Sequence, residues 1–191
     1  MFNKSIVVLL MFLSLNASAE VIKDYYASGA IKVEIEYKND KVDGVKNYYE
    51  SGALQREKNF KNGKQEGVTK AYYENGALER EENYKSDKRD GLTKNYYESG
   101  ALKREMNYKN GKQEGVTKAY YENGALNAEA NFKNGKLEGV LKEYYESGEL
   151  KRETNYKNSK QEGVSKGYNQ SGVLIERINY VNGKEVDRWE R

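Results

Sequence analysis

The sequence predicts an all-β protein: an elongated single-layer antiparallel β-meander built of about seven 24-residue hairpin repeats. Three observations predict it. Tyrosine pairs recur at Tyr25/Tyr26, Tyr48/Tyr49, Tyr72/Tyr73, Tyr96/Tyr97, Tyr120/Tyr121 and Tyr144/Tyr145, with Tyr168/Asn169 as a worn last copy, spaced 23 residues once and 24 thereafter. A period of that length means an array in which each unit buries its faces against its neighbours. Turn signals return about every twelve residues, and no segment carries apolar residues at the i, i+3, i+4, i+7 spacing of a helix. Finally, a third of the residues are charged, mean hydropathy is −1.05, and tyrosine (18) outnumbers phenylalanine (4) and tryptophan (1). Such a chain cannot build a thick aliphatic core, yet it is too patterned to be disordered.

In chain order, residues 1–19 read as a secretory signal peptide. Met1–Lys4 supplies one positive charge, Ile6–Leu15 is an apolar run too short to span a bilayer, and Ala17-Ser18-Ala19 is an A-x-A cleavage site. The expected mature chain begins at Glu20 and is exported, to the periplasm, the outer surface or the medium. No cysteine is present for lipid attachment or disulfides, and the absence of both Cys and His excludes thiolate metal sites, histidine general bases and nucleophile–His pairs. Residues 20–191 form the repeat domain, with repeats near 24–43, 44–66, 67–90, 91–114, 115–138, 139–162 and 163–191.

The copy from Gly115 to Gly139 shows the unit most clearly. Val116–Tyr121 is rich in strand formers. Glu122-Asn123-Gly124 then suits a three-residue loop, a type I turn closed by a glycine in the left-handed region. Gly29, Gly52, Gly76, Gly100, Gly124, Gly148 and Gly172 all hold this place. The second arm runs from Ala125 to about Phe132, and Lys133-Asn134-Gly135 is expected to return the chain with the same turn chemistry. Asp40, Asp87 and Ser159 replace the second glycine in three copies, and aspartate tolerates the left-handed region better than most residues.

Pairing Tyr120 with Leu126 gives the faces by alternation. Val116, Lys118, Tyr120, Leu126 and Phe132 are expected on one face. Thr117, Ala119, Tyr121, Ala125, Glu129 and Asn131 are expected on the other. One copy breaks step, since Gly44 to Tyr48 spans four residues where Gly67 to Tyr72 spans five; a bulge near Val45–Asn47 is expected to absorb it. The last copy gains Val173, Ile175 and Ile178, reverses a charge order at Glu176-Arg177, and ends near the lone Trp189, which reads as a capping repeat.

The unit G-V-x-K-x-Y-Y-E-[SN]-G-A-L-x-x-E-x-x-[YF]-K-N-G-K-x-E-G resembles the MORN-type variant repeat of bacterial proteins, the YwqK family of antitoxin-like chains. The resemblance covers nearly all of Val21–Asp187. It implies a meander of hairpins in a twisted single sheet. Some members are immunity partners of secreted toxins, and eukaryotic relatives serve as scaffolds, dimerisation modules or proposed lipid binders.

Candidate sites are weighed against bland alternatives. The second tyrosines, Tyr49, Tyr73, Tyr97, Tyr121 and Tyr145, form a candidate binding stripe, because tyrosine offers contact area at low entropic cost; the alternative is packing within the sheet. Lys46, Lys70, Lys94, Lys118, Lys142 and Lys166 repeat in register, as do Glu57, Glu81, Glu105, Glu129 and Glu153. A solubilising cross-strand charge ladder is preferred there over a polyanion site. Glu81-Glu82 as a glycosidase pair is an accident of one copy, since Lys58, Met106, Ala130 and Thr154 stand where Glu82 does. Asp40 and Asp87 lack the cage of carboxylates that calcium needs. No catalytic residue, cofactor or metal is expected. With Lys+Arg 33 against Asp+Glu 30 interspersed along each repeat, nucleic acid is not an expected partner and a membrane surface is not favoured. The expected function is a non-catalytic exported scaffold that binds a protein partner or a cell surface through its sheet face, self-association into a homodimer included. The alternatives are an immunity protein against a secreted toxin, a glycan or cell-wall binder, and a binder of anionic membrane surfaces.

Overall fold

The computed structural model describes residues 19–191, so the expected signal peptide lies outside the described residues apart from Ala19. Among them the chain is entirely strand and turn, with twenty strands and no helix. Fifteen strands are six to eight residues long and five are two-residue pieces. They fall into two compact units, one ending at Lys88 and one beginning at Arg89.

The first unit contains β1 (Glu20–Tyr25), β2 (Ile31–Lys38), β3 (Lys41–Tyr48), β4 (Leu54–Lys61), β5 (Lys64–Gln65), β6 (Gly67–Tyr72) and β7 (Leu78–Lys85); β8 (Lys88–Arg89) lies on the boundary. Each strand pairs antiparallel with the next long one. The second unit repeats the plan with β9 (Gly91–Tyr96), β10 (Leu102–Lys109), β11 (Lys112–Gln113), β12 (Gly115–Tyr120), β13 (Leu126–Lys133) and β14 (Lys136–Leu137). It continues through β15 (Gly139–Tyr144), β16 (Leu150–Lys157), β17 (Lys160–Gln161), β18 (Gly163–Tyr168), β19 (Leu174–Val181) and β20 (Lys184–Glu190). The all-β antiparallel meander read from the sequence is therefore the fold.

The first turn forms as expected. Gly124 N–H donates to Tyr121 C=O at 3.0 Å and Tyr121 N–H to Ala125 C=O at 2.9 Å, with Gly124 at φ +88. The second turn differs. Lys133 pairs directly with Lys136, which leaves only Asn134 and Gly135 in the loop, at φ +52 and +79. This is the two-residue type I′ turn, whose twist matches that of the flanking strands. Asp40, Asp87 and Ser159 take the glycine place at φ +58, +67 and +65. In two of them the side chain makes a further bond: Asp87 Oδ1 accepts from Gln65 N–H at 2.7 Å and Ser159 Oγ from Leu137 N–H at 3.0 Å.

The face assignment needs one correction. Tyr120 does pair with Leu126, but Ala119 pairs with Ala128, so Asn127 is an extra residue and a bulge. One inserted residue moves everything after it to the opposite face. Glu129 and Asn131 therefore join Val116, Lys118, Tyr120 and Leu126, while Phe132 joins Thr117 and Ala119. Gln55, Glu79, Lys103, Lys151 and Ile175 are bulged in the same way.

The second face holds what core there is. Its central row pairs Thr69 with Glu82, Thr93 with Met106, Thr117 with Ala130, Leu141 with Thr154, and Ser165 with Ile178. Thr93 is 1% exposed and Ile178 2%. Where one member is large its partner is small, as with Leu141/Thr154 and Ser165/Ile178, which limits overpacking on this face.

The out-of-step copy is absorbed elsewhere than expected. Register is regular from Gly44 to Asn47, and the extra residue is Asp43, between the Tyr37/Val42 and Glu36/Gly44 pairs. At the C-terminal end, Ile178 supplies the extra burial, whereas Trp189 stands opposite Arg177 and is 44% exposed.

Candidate functional site: the ladder face and the tyrosine rows

Bulging puts the repeated Lys and Glu columns directly opposite one another. In the first unit the row reads Lys23, Glu34, Lys46, Glu57, Lys70, Glu81 from strand to strand. In the second it reads Lys94, Glu105, Lys118, Glu129, Lys142, Glu153, Lys166, and it ends on Arg177. Contacts are 2.7 Å for Lys23–Glu34, 3.1 Å for Lys166–Glu153 and 3.6 Å for Lys118–Glu129; Lys46 leans diagonally to Glu36 at 2.9 Å. Hydrogen bonding to Lys23, then to Tyr48, holds the Glu34 carboxyl below its usual range. The ladder preferred from sequence is the one that forms. Each exposed rung contributes only about 0.2–1 kcal/mol.

From Tyr48 on, the first tyrosine of each pair lies on this ladder face beside its leucine, and in four repeats its hydroxyl donates to the glutamate of the preceding repeat. The distances are 2.6 Å for Tyr48–Glu34, 2.8 Å for Tyr72–Glu57, and 3.2 Å for both Tyr120–Glu105 and Tyr168–Glu153. Burial first, and the glutamate second, push Tyr48 and Tyr72 up to about 12.

The second tyrosines are half-buried, and their hydroxyls reach forward to a backbone carbonyl of the next repeat. Tyr49 donates to Tyr72 C=O, Tyr97 to Tyr120, Tyr121 to Tyr144 and Tyr145 to Tyr168, at 2.7–2.8 Å. Tyr73 occupies the same place in its own pair and is not without a partner. Lys103 Nζ lies 5.1 Å from the Tyr97 ring centre and Lys151 Nζ 5.6 Å from that of Tyr145. The stripe is thus also a row of staples: its hydroxyls are committed and its rings are held in place. The turn glycines Gly52, Gly76, Gly100, Gly124, Gly148 and Gly172 carry φ between +75 and +101 and set where each staple starts.

Sequence reasoning missed a second fastener. From Glu66 on, the acidic residue of each Glu/Asp-Gly step accepts a backbone N–H from the next repeat's second turn. Glu66 takes Ser86, Asp90 takes Asn110, Glu114 takes Asn134, Glu138 takes Asn158 and Glu162 takes Asn182, at 2.8–3.0 Å. The constant 20-residue offset was a readable signal, but only once the turn type was known.

Glu81 faces Lys70 on the ladder side and Glu82 faces Thr69 on the other, so the two carboxyls cannot flank one bond as glycosidase chemistry requires. Among the described residues no group of three or more His, Cys, Asp or Glu is placed to hold a metal, and no helix is long and apolar enough to cross a membrane.

Compared with known proteins, the chain finds no match among curated sequences. The model of one family, described as the MORN repeat variant, matches seven times, at residues 21–39, 45–62, 65–86, 89–110, 113–134, 137–158 and 161–182. These matches cover most of the sequence and fall on the hairpins and fasteners just described; the chain belongs to the MORN repeat variant family.

Proposed function

We propose that the protein is a non-catalytic scaffold, exported after cleavage behind Ala19, that binds a protein partner or a cell surface through the ladder face of its sheet. One observation carries this reading: the opposite face closes its central row, whereas the ladder face leaves apolar side chains open between charged ones. Val116 and Val140 are 46% and 40% exposed beside the Lys118–Glu129 and Lys142–Glu153 rungs. A surface of repeated apolar and paired-charge elements offers contact area together with a charge pattern that a partner can match. MORN repeats are generally associated with binding or scaffold roles, and the fasteners leave the face itself unspent.

The test is site-specific photo-crosslinking in the native cell envelope. Crosslinkers at Val116 and Val140 should capture a discrete partner, and one at Arg104, exposed on the opposite face, should not. Equal capture from both faces, or none from the ladder face, rejects this reading.

A further inference from the structure

At the Asn-Gly end of the hairpins the fold does what its ladder avoids. Lys109 stands directly opposite Lys112, Lys133 opposite Lys136, and Lys157 opposite Lys160. All six are exposed, and none has an ion-pair partner among the described residues. Like charges directly opposite on a sheet are destabilising. The carboxylates two residues after each pair are spent on the backbone: Glu114, Glu138 and Glu162 each accept an N–H of the following turn. Two lysines against one engaged carboxylate leave this edge positive in these three repeats. The exposed Glu98, Glu122 and Glu146 stand at the opposite turns.

The pairs also form a line. Each turn tip bonds back to the strand of the repeat before it, Gly135 N–H to Gln113 C=O at 2.8 Å and Ser159 N–H to Leu137 C=O at 2.9 Å. Consecutive pairs are thus two strand spacings apart, about 9.5 Å.

We infer that this row of lysine pairs is a docking rail for a linear phosphate-bearing polymer. The row is one-dimensional and regular, which matches a chain rather than a plane. The tips between the lysines, Asn110-Gly111, Asn134-Gly135 and Asn158-Ser159, carry no apolar side chain, whereas segments that lie on membranes combine charge with apolar insertion. Lysine is a compact point charge on a flexible stem, suited to a flexible polyanion that presents phosphates in no fixed orientation. The edge is separate from the ladder face, so the failure of either reading leaves the other standing.

The test uses the full-length chain with long-chain inorganic polyphosphate, tripolyphosphate and vesicles of anionic phospholipid as probes. Polyphosphate should bind, with log affinity falling against log salt at a slope of about −4 if all six lysines take part. K133Q/K136Q should reduce that slope by about 1.4 without lowering the thermal midpoint, because it relieves a repulsion. K118Q/K142Q makes the same change in net charge on the ladder face and should leave the slope unchanged. The inference is overturned by absence of polyphosphate binding, by equal loss in the two double variants, by tripolyphosphate binding as tightly as the polymer, or by vesicles outcompeting it at equal phosphate.

Discussion

The first return of the chain and a central one solve the same problem differently. From Lys41 to Tyr48, β3 is a single eight-residue strand; its glycine, Gly44, keeps an ordinary φ, and Asp43 is simply bulged out. From Lys136 to Tyr144 the chain breaks into β14 and β15, with Gly139 at φ +87 and the Glu138 carboxylate on Asn158 N–H. Among the described residues no such bond joins Asp43 to the Asn62-Gly63 turn, and a cleft lined by Val42, Asp43, Phe60 and Asn62 opens there instead. A hairpin can therefore close without the Glu-Gly break. The break exists to hold one repeat to the next.

Four measurements test that contrast. The largest effect is expected from Gly139→Val. A Cβ there meets nothing within 4 Å, so the cost is that of the left-handed backbone, about 1–2 kcal/mol, read as a lower denaturant midpoint. Gly44→Ala should cost far less, because its φ is ordinary and its Cβ would meet only the Glu36 side chain, whose Oε2 is the nearest atom at 3.2 Å. Equal losses would erase the distinction between the two returns. Next comes Tyr121→Phe, which removes the bond to Tyr144 C=O and should cost about 1 kcal/mol; a neutral result would return the second tyrosines to a purely surface role. Glu138→Ala should cost about 0.5 kcal/mol and speed hydrogen exchange at Asn158, while Asp43→Ala should change exchange nowhere in the following turn. The smallest effect near neutral pH is tyrosine ionisation. The folded state holds the Tyr48 and Tyr72 protons above the ordinary value of 10, up to about 12. Their contribution is whole below pH 10 and lost as pH rises through about 12. Urea midpoints should fall across that window, and less steeply in Tyr48→Phe.

Period, strand content and the first turn were legible because each is written in residue identity: a tyrosine pair, then a glycine three residues on. The bulge was not. Gln55, Glu79, Lys103, Asn127, Lys151 and Ile175 share no chemistry, so nothing marked that place as an extra residue, and the second arm was assigned to the wrong face from there on. The core hid for a related reason. The row containing Glu82, Met106, Ala130, Thr154 and Ile178 is the most variable place in the unit, yet it is the most buried. Threonine stands opposite Glu82, Met106 and Ala130 alike, so no repeat rule marks this row as the core. The charge ladder could be anticipated from columns of lysine and glutamate. The facing lysine pairs at the second turn could not, because they depend on the two-residue loop that sets Lys133 against Lys136.

The staples described above all reach one repeat forward and no further: 23 residues from Tyr121 to Tyr144, 20 from Glu138 to Asn158. Contacts of such uniformly short range make loop closure inexpensive at every step, so the contact order stays low for an all-β chain. Folding can start at whichever hairpin forms first and spread outward by nearest-neighbour addition. Opening runs the other way, so amide exchange within each compact unit should be slowest at its centre and graded toward its ends.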